Sequence, residues 1–581
     1  IIYVRPESAF DPITASLDAA REAVAGTEIA GATIDVTGLE VLRAGSEGEA
    51  GGPEVLIEVL IGGVIALAIL IAVFGSPLAL VPLLMAAIAI PVTFLAIWPL
   101  AEITDVSFIV QFLVALIGLG VAIDYALLIV TRWREERANG HENLVAVERA
   151  MSRAGRAVVF SGIAVAIGLL ALIVIPVPFL RSIGIAGMLI PVVSVIVAVT
   201  LLPVILASIG PRLERYSLPW SRQVTRSGWE RWGRFVIRRR WIIGGLALAL
   251  LLALLAAAAN LNIGEPRGDS LASSGEAREG YDRLVAASLE GALSPMEVLV
   301  VDGDPELTKE TLGQVDEVLG ATAPADPAWR DGNSAVVNVF PTTEGSTGAA
   351  ADAVDNARAA AIELPGTVTI GGNAAGSVDF IEAVYGNFPL MVGIILVITF
   401  ILLTRIFRSP LLALKAVVFN VISVGAIWGF LVLFWQDGNG GEAFFDIPST
   451  GSVTVWVPLM LFAFLYGLSM DYEVFILSRI RESYDADGNT DAAVVSGIAT
   501  TGRLVTAASL ILFGAFVVLA SGPQTEVKVF ATGLAVGIVL DATVVRGMLL
   551  PAFVSLFGKW NWWMPNWMAR VLLLPSTPTY H

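Results

Sequence analysis

Long uninterrupted runs of apolar residues dominate the chain. A helix needs roughly 20 residues to cross a hydrocarbon core of about 30 Å, and eleven runs approach or reach that length. One such run could be a buried helix of a soluble protein, but eleven together predict a polytopic α-helical membrane protein. They lie near 55–74, 78–100, 107–131, 156–177, 183–209, 241–259, 388–406, 411–435, 453–478, 502–520 and 529–557.

The charged residues between these runs predict the orientation. The loop 132–156 carries six Arg, and the segment 211–240 carries nine Arg against two acidic residues. By contrast, 261–387 holds 21 Asp and Glu against six Lys and Arg. Because basic loops stay in the cytoplasm, we expect the first two segments inside and the third outside. The number of spans between them agrees with this assignment.

The basic segment 211–240 also interleaves aromatic residues with arginines, among them Trp229, Trp232 and Phe235. This pattern favours an amphipathic helix lying on the inner leaflet. A solvated linker is the alternative interpretation.

The outer segment 261–387 has the pattern of a folded domain. Alternating apolar residues at 297–301, 335–340 and 367–372 predict three strands. The intervening stretches 306–320 and 347–363 have helical composition. This order predicts a small α/β sandwich.

The chain repeats itself. The motif GxxxDY occurs twice, 347 positions apart, beginning at Gly120 and at Gly467. Each copy is followed at the same spacing by two Arg and a Glu, and Gly155-Arg156 recurs as Gly502-Arg503. A repeat at a constant offset with both halves in one orientation predicts a pseudo-twofold axis along the membrane normal.

The outer segments repeat as well, since residues 3–38 resemble 337–372. Residues 1–52 are therefore expected to be the end of a first outer domain. The repeat predicts twelve helices in two halves of six, of which eleven would be present here, with a first helix preceding Ile1. The opening residues 1–6 have the pattern of an interior strand.

These patterns divide the chain into seven segments. The predicted boundaries are 1–52 for the end of the first periplasmic porter domain, 53–210 for transmembrane helices 2–6, 211–240 for a cytoplasmic amphipathic linker, 241–260 for helix 7, 261–387 for the second porter domain, 388–560 for helices 8–12 and 561–581 for a cytoplasmic tail.

The strongest candidates for chemistry are two carboxylates inside apolar runs. Asp124 and Asp471 each precede the first cytoplasmic Arg by eight residues, which corresponds to roughly 12 Å of depth. A carboxylate costs about 2.5–3.5 kcal/mol there on insertion scales. Because burial penalises the charged form, each could cycle between a protonated and an ionised state. Two such residues at matched depth predict a proton relay; a static hydrogen bond between helices is the alternative.

Each Asp is followed by a Tyr, at Tyr125 and Tyr472. Neighbours on a helix point about 100° apart, so the Asp and Tyr of one motif cannot face the same spot. Packing about the pseudo-twofold axis predicts crossed pairs, Asp124 with Tyr472 and Asp471 with Tyr125. The motif glycines, one turn earlier, are predicted to let the two helices approach closely.

Other polar residues in the apolar runs give weaker signals. Asp541 and Arg546, in the last span, are predicted to form a structural ion pair. Glu473 follows the second motif and has no counterpart in the first half, where Ala126 stands; a hydrogen bond within the bundle and a functional role both remain open. Asn420 is predicted to be a packing residue.

The composition argues against an enzyme. The chain has no Cys and two His, so thiolate or His-rich metal sites and His-based catalysis are poorly supplied. It contains no GxxxxGK[ST], GxSxG or HExxH motif. A net charge of −17 does not suit nucleic-acid binding. We therefore expect no cofactor and no metal, with protons as the coupling ion.

Four segments resemble the MMPL family of the RND transporter superfamily, the actinobacterial lipid exporters of the trehalose monomycolate exporter type. They are GLGVAIDYALLIVTRWREE (118–136), YGLSMDYEVFILSRIRE (466–482), ATTGRLVTAASLI (499–511) and LDATVVRGMLLPAFVSLFGKWNWWMP (540–565). The resemblance implies twelve helices, two periplasmic porter domains and proton-driven lipid export. It also implies that Asp124, Tyr125, Asp471 and Tyr472 form the proton relay.

The expected function is export of a lipid or other amphiphile toward the cell envelope, driven by the proton-motive force, from a multi-pass protein of the bacterial inner membrane. A drug or antibiotic efflux pump of the same fold and a SecDF-like translocation helper are the alternatives. Membrane lipids are the expected partners, and envelope accessory proteins are a further candidate class. The sequence leaves open whether the protein is a monomer or a trimer.

Overall fold

Eleven long helices form the membrane part of the structure, which is a computed structural model. It describes residues 13–24, 34–46, 53–103, 106, 109–216, 226–272, 274–345, 348–522 and 524–572. In these ranges, ten helices are long and apolar enough to cross a membrane. With Pro53–Phe74 they correspond to the eleven predicted runs. In chain order they are α1 Pro53–Phe74, α2 Pro77–Ala101, α3 Ile109–Ala138, α4 Asn143–Val174, α5 Pro178–Ser208, α6 Arg240–Asn260, α7 Gly372–Phe407, α8 Pro410–Gln436, α9 Trp456–Asp487, α10 Thr490–Leu519 and α11 Thr525–Trp562.

Several helices extend beyond the apolar runs that predict them. α4 begins at Asn143, ahead of the run at 156, and α7 begins at Gly372, inside the outer domain. The α4 extension is rich in polar residues, so hydropathy does not detect it. The α7 extension, Gly372–Gly386, is separated from Phe388–Phe407 by a bend at Asn387. The remaining helices are short and lie outside the spans: Ile13–Val24, Leu39–Ser46, Gly210–Arg215, Arg226–Arg238, Gly268–Leu271, Glu276–Ala286, Pro305–Leu312, Ala349–Ala361, Gly441–Phe445 and Asn566–Val571.

The two helices that carry the Asp-Tyr motifs occupy the centre of the bundle. The most apolar stretch of α3 is buried along its whole length and that of α9 along 94%, whereas only 22% of the corresponding stretch of α6 is buried. A helix surrounded by other helices can hold a polar side chain away from lipid. The central position therefore fits helices that carry carboxylates.

The outer segment forms one antiparallel sheet with helices packed against it. Its strands are β1 Met296–Val301, β2 Val318–Thr322, β3 Arg330–Asp331, β4 Ser334–Pro341 and β5 Thr367–Gly371, in the order β2-β4-β1-β5 with β3 also pairing with β4. On the central strand, Met296, Val298 and Val300 alternate toward the buried face. They pack on Val354 and Ala357 of the helix Ala349–Ala361.

The predicted helix at 306–320 is wrong in its second half. The helix starts at Pro305, where the Asp304 carboxylate accepts the Glu306 amide at 2.9 Å, and it ends at Leu312. Val318–Thr322 instead pairs with β4. Part of the free edge of β4 would otherwise expose unpaired backbone groups, and this pairing satisfies them.

The helix Arg226–Arg238 is amphipathic, as predicted, and part of its apolar face packs against the helix bundle. The Trp232 indole donates a hydrogen bond to the Gly547 carbonyl at 3.0 Å. Val236 is fully buried with Ile243 and Ala552. The predicted strand at residues 1–6 lies outside the described residues.

Candidate functional site

Asp124 and Tyr472 meet at the centre of the bundle. Asp124 lies on α3 and Tyr472 on α9, and both are buried, with 6% and 4% of their surface exposed. The Tyr472 hydroxyl donates a hydrogen bond to Asp124 Oδ2. The crossed pairing predicts this contact. Among the described residues, Asp124 Oδ1 has no hydrogen-bond partner, so one carboxylate oxygen is available to a proton.

The reciprocal pair stays a prediction. Tyr125 is buried on α3, with its hydroxyl beside Gly162 of α4. The helix at Asp471 is described, but its side chain lies outside the described part of the structure. The structure therefore locates one of the two predicted pairs.

Contacts elsewhere repeat about the pseudo-twofold axis. Arg134 donates to the carbonyl of Phe74, and Arg481 donates to the carbonyl of Phe407, both at 3.4 Å. These residues correspond to each other in the sequence repeat. The repeat in the sequence is thus also a repeat in the packing of the two halves.

The motif glycines have other neighbours than predicted. A side chain at Gly120 would collide with Leu512 of α10, and one at Gly467 would touch Val165 of α4. Leu512 and Val165 are themselves repeat-related, 347 positions apart. The glycines therefore allow each central helix to approach a helix of the other half, and the prediction that they bring the two central helices together is wrong. The Asp-Tyr contact is made by long side chains, which need no close approach there.

Arg546 of α11 lies beside the Asp124–Tyr472 pair. Its guanidinium carbon lies 4.5 Å from the centre of the Tyr472 ring, a cation–π distance. It forms an ion pair with Asp541 and donates to the Ser469 carbonyl at 3.1 Å. The structure thus contains the ion pair predicted for Asp541 and Arg546, and it places that pair against Tyr472.

The backbone of α11 explains how these two residues meet. Positions five apart in an α-helix point about 140° away from each other, but Asp541–Leu549 is π-helical. In a π-helix, hydrogen bonds join residues five apart, so both side chains reach the same face. Such wide turns are frequent at functional sites. The sequence pattern does not reveal this turn.

A line of hydrogen bonds continues from the ion pair to Glu473. The Ser469 hydroxyl lies 2.8 Å from Asp541 Oδ1 and 2.9 Å from Asn420 Oδ1. The Asn420 amide donates to Glu473 Oε2 at 3.3 Å, and Glu473 is 2% exposed. Sequence reasoning assigned Asn420 to packing and missed that it joins two acidic residues. One sequence feature does point to this site: Glu473 breaks the repeat, because Ala126 stands at the matching position of the first half.

Ion pairs close the side of the site where the basic loops lie. Arg479 on α9 pairs with Glu135 on α3 at 3.2 Å. Arg132 pairs with Glu136 at 2.8 Å, and both are almost fully buried. The Arg479–Glu135 pair joins the two central helices, whereas the Arg132–Glu136 pair lies within α3. Within the described residues, no cluster of His, Cys, Asp and Glu could hold a metal ion.

Eleven apolar helices in two repeated halves, with buried carboxyl and tyrosine groups at the centre, define an RND-type polytopic membrane protein. The MMPL family model matches residues 1–241 and 278–577. The chain therefore belongs to the MMPL family and is a multi-pass protein of the inner membrane.

The relatives that this chain matches are named as transport proteins. It is 34% identical over 532 residues to the "Mycolic acid-containing lipids exporter MmpL11" of Mycolicibacterium smegmatis, covering 87% of this chain and 55% of that protein. Identity to the "Heme uptake protein MmpL11" of Mycobacterium tuberculosis is also 34%, with 87% and 54% covered. The "Trehalose monomycolate exporter MmpL3" of Mycolicibacterium smegmatis is 30% identical, with 94% and 58% covered. The chain spans little more than half the length of these relatives.

A solved structure shows the same fold at low identity. SecDF from Thermus thermophilus, described as a translocon-associated membrane protein, superposes with a TM-score of 0.56 at 16% identity, covering 90% of this chain and 63% of that one. This likeness concerns the fold alone.

Proposed function

We propose that the chain exports a lipid or other amphiphile out of the inner membrane toward the cell envelope, driven by protons that pass through the Asp124–Tyr472 site. The observation that carries the proposal is the buried hydrogen bond between these two side chains, which lie on repeat-related central helices. The names of two relatives support the substrate class, since both export mycolate-containing lipids.

The proposed cycle uses the charge of Asp124. When the carboxylate is ionised, the Tyr472 hydroxyl donates to one oxygen and the Arg546 guanidinium is nearby across the Tyr472 ring. Protonation removes a buried charge and weakens the hold on both partners. The helices α3, α9 and α11 then lose a contact that fixes their relative position. Each proton that crosses 100 mV supplies about 2.3 kcal/mol, which drives this change.

The contacts beyond Asp124 offer a path from the Asp124–Tyr472 site to the outer domains. A movement of Arg546 would displace Asp541, its ion-pair partner. Through Ser469 it would also displace the segment of α9 that carries Tyr472. α11 begins at Thr525, and Glu526 in its first turn contacts Arg43, which lies in the first outer segment, residues 1–52. Because helices are stiff over these lengths, a shift at the relay would reach the outer domains. Coupling to substrate is part of the proposal.

Asp124→Asn tests the proposal, because asparagine keeps the shape of the side chain and cannot carry the proton. We expect the purified variant in proteoliposomes to lose lipid transport driven by an imposed pH gradient, while its melting temperature changes little. Tyr472→Phe removes only the hydroxyl and should reduce transport strongly. Tyr466→Phe is the matched control on the same helix, since Tyr466 is equally buried but lies away from Asp124; it should retain transport. Full pH-driven transport by Asp124→Asn would refute the proposal.

The direction and cargo form the second part of the test. One relative is named as a heme uptake protein, so uptake of an amphiphilic ring is the competing candidate. Proteoliposomes loaded with fluorescent lipid or with heme separate the two. If heme alone is transported in response to protons, the proposed lipid cargo is wrong, but the proposed proton path through Asp124 and Tyr472 is not contradicted.

A further inference from the structure

A cavity with charged and apolar lining residues lies between the helix Arg226–Arg238 and the start of α10, away from Asp124 and Tyr472. Its volume is about 680 Å³, within the usual range of small-molecule sites. Glu230, Arg234 and Arg238 line it from the first helix, and Ser496 and Thr500 line it from α10. The residues recur at helical spacing on both sides, so the cavity is a groove between two packed helices.

The first cavity is lined by two carboxylates and two arginines, and Arg239 and Arg240 add two positive charges where the groove continues into a second cavity. Glu230 forms an ion pair with Arg234 at 3.3 Å, and Asp491 forms one with Arg240 at 3.3 Å. Both carboxylates are therefore already paired. Among the described residues, no carboxylate pairs with Arg238 or with the neighbouring Arg239, and the Arg239 guanidinium lies over the Phe235 ring at 5.4 Å. Two arginines thus remain for an anion.

The groove continues onto the surface of the protein that faces lipid. A second cavity of about 500 Å³ shares Arg238 and Asp491 with the first and extends to Trp241 and Ile242. These two residues are 76% and 60% exposed, and Leu246 one turn later is 67% exposed. They belong to α6, whose apolar stretch is mostly unburied. A molecule in the second cavity therefore meets arginines at one end and an apolar helix face at the other.

We propose that this groove binds the phosphate headgroup of an anionic phospholipid, with its acyl chains along the exposed face of α6. Guanidinium groups bind phosphate oxygens through paired hydrogen bonds. The Ser496 hydroxyl supplies a further donor on the opposite wall, whereas the Thr500 hydroxyl donates to the Ser496 carbonyl at 2.8 Å. A soluble phosphate would use the arginines alone, whereas the exposed Trp241, Ile242 and Leu246 add apolar contact only for a lipid. The site is independent of the proposed transport activity.

A bound lipid would stabilise the position of the Arg226–Arg238 helix. That helix contacts α10 through Trp229, which lies against Gly502, and α11 through Trp232. A lipid joining Arg238 and Arg239 to the face of α6 would add a third attachment. The site would therefore act on the docking of this helix against the second half of the bundle.

Native mass spectrometry of the detergent-solubilised full chain tests the site. Phosphatidylglycerol and phosphatidylcholine are titrated, and the bound lipids are counted. We expect a preference for phosphatidylglycerol that falls by roughly fivefold for each arginine removed, in Arg238→Gln and in the Arg238→Gln/Arg239→Gln double variant. The control Arg212→Gln/Arg215→Gln removes the same charge from the exposed helix Gly210–Arg215, which lines neither cavity, and should keep the wild-type preference.

The outcomes separate the sources of the phosphate. Persistence of the phosphatidylglycerol adduct in a large excess of glycerol 3-phosphate supports a lipid site, and its displacement by glycerol 3-phosphate at equal concentration overturns it. Equal losses in the groove variant and the control overturn the site as a specific one. Lack of any preference for phosphatidylglycerol in the wild type does so as well. Melting curves of all variants verify that each is folded.

Discussion

Arg43 joins three parts of the chain on the outer side, and its removal should loosen all three. It lies on the helix Leu39–Ser46 and forms ion pairs with Glu265, beyond α6, and with Glu526 in the first turn of α11, the latter at 3.4 Å. Glu40 in the same helix adds a contact at 2.5 Å. The Arg43, Glu265 and Glu526 side chains are 26%, 21% and 26% exposed, so all three are largely withdrawn from water.

The cost of Arg43→Met follows from what it leaves behind. Methionine keeps much of the apolar stem but removes the cation that Glu265 and Glu526 share, and both carboxylates stay partly buried. A hydrogen bond to a charged group contributes about 1.5–3 kcal/mol, and the remaining solvent access argues for the lower half of that range. We therefore expect a loss of about 2 kcal/mol for the local opening of this contact. At 1.4 kcal/mol per factor of ten, this loss raises the equilibrium constant for local opening roughly 30-fold.

Hydrogen exchange followed by mass spectrometry measures this directly. The amides of the helix Leu39–Ser46, including Leu42, which bonds to the Gly38 carbonyl at 2.8 Å, should exchange about 30-fold faster in Arg43→Met. Arg21→Met is the matched control, because the Arg21–Glu276 pair is 40% and 42% exposed and such pairs contribute at most about 1 kcal/mol. If exchange in Arg43→Met equals exchange in Arg21→Met, the reasoning is refuted.

Two further predictions concern the outer domain and the bundle. Burial raises the pKa of Glu344 above its usual value, although the Tyr281 hydroxyl and the Gly268 amide donate to its carboxylate. Its contribution to stability is therefore complete at acidic pH, below the unfolded value, and is lost as the pH rises through the raised pKa. Glu344→Gln stays neutral, so its melting temperature relative to wild type should increase from pH 5 to pH 8; a constant difference would contradict this. Gly120→Ala should lower the melting temperature by more than Gly467→Ala, since only the first collides with a neighbour, and equal effects would count against that packing.

The sequence by itself determined the membrane character, the number of spans and the two-part repeat. These follow from hydropathy and from spacing along one chain, which do not depend on how distant segments pack. The Asp-Tyr motifs were found in the same way, because an ionisable residue in an apolar run is conspicuous. Crossed pairing needed only the helical period and the repeat, and Tyr472 does donate to Asp124.

Only the tertiary structure shows how the separate polar pairs are connected to one another. The π-helical turn Asp541–Leu549 brings Arg546 to the Tyr472 ring, and Ser469 and Asn420 extend the line to Glu473. The docking of the Arg226–Arg238 helix on the bundle and the pairing of β2 with β4 were likewise invisible in the sequence. The physical reason is common to all of them. Hydrophobic periodicity states which face of an element avoids water, but the surface that covers that face is chosen by packing between segments far apart in the chain.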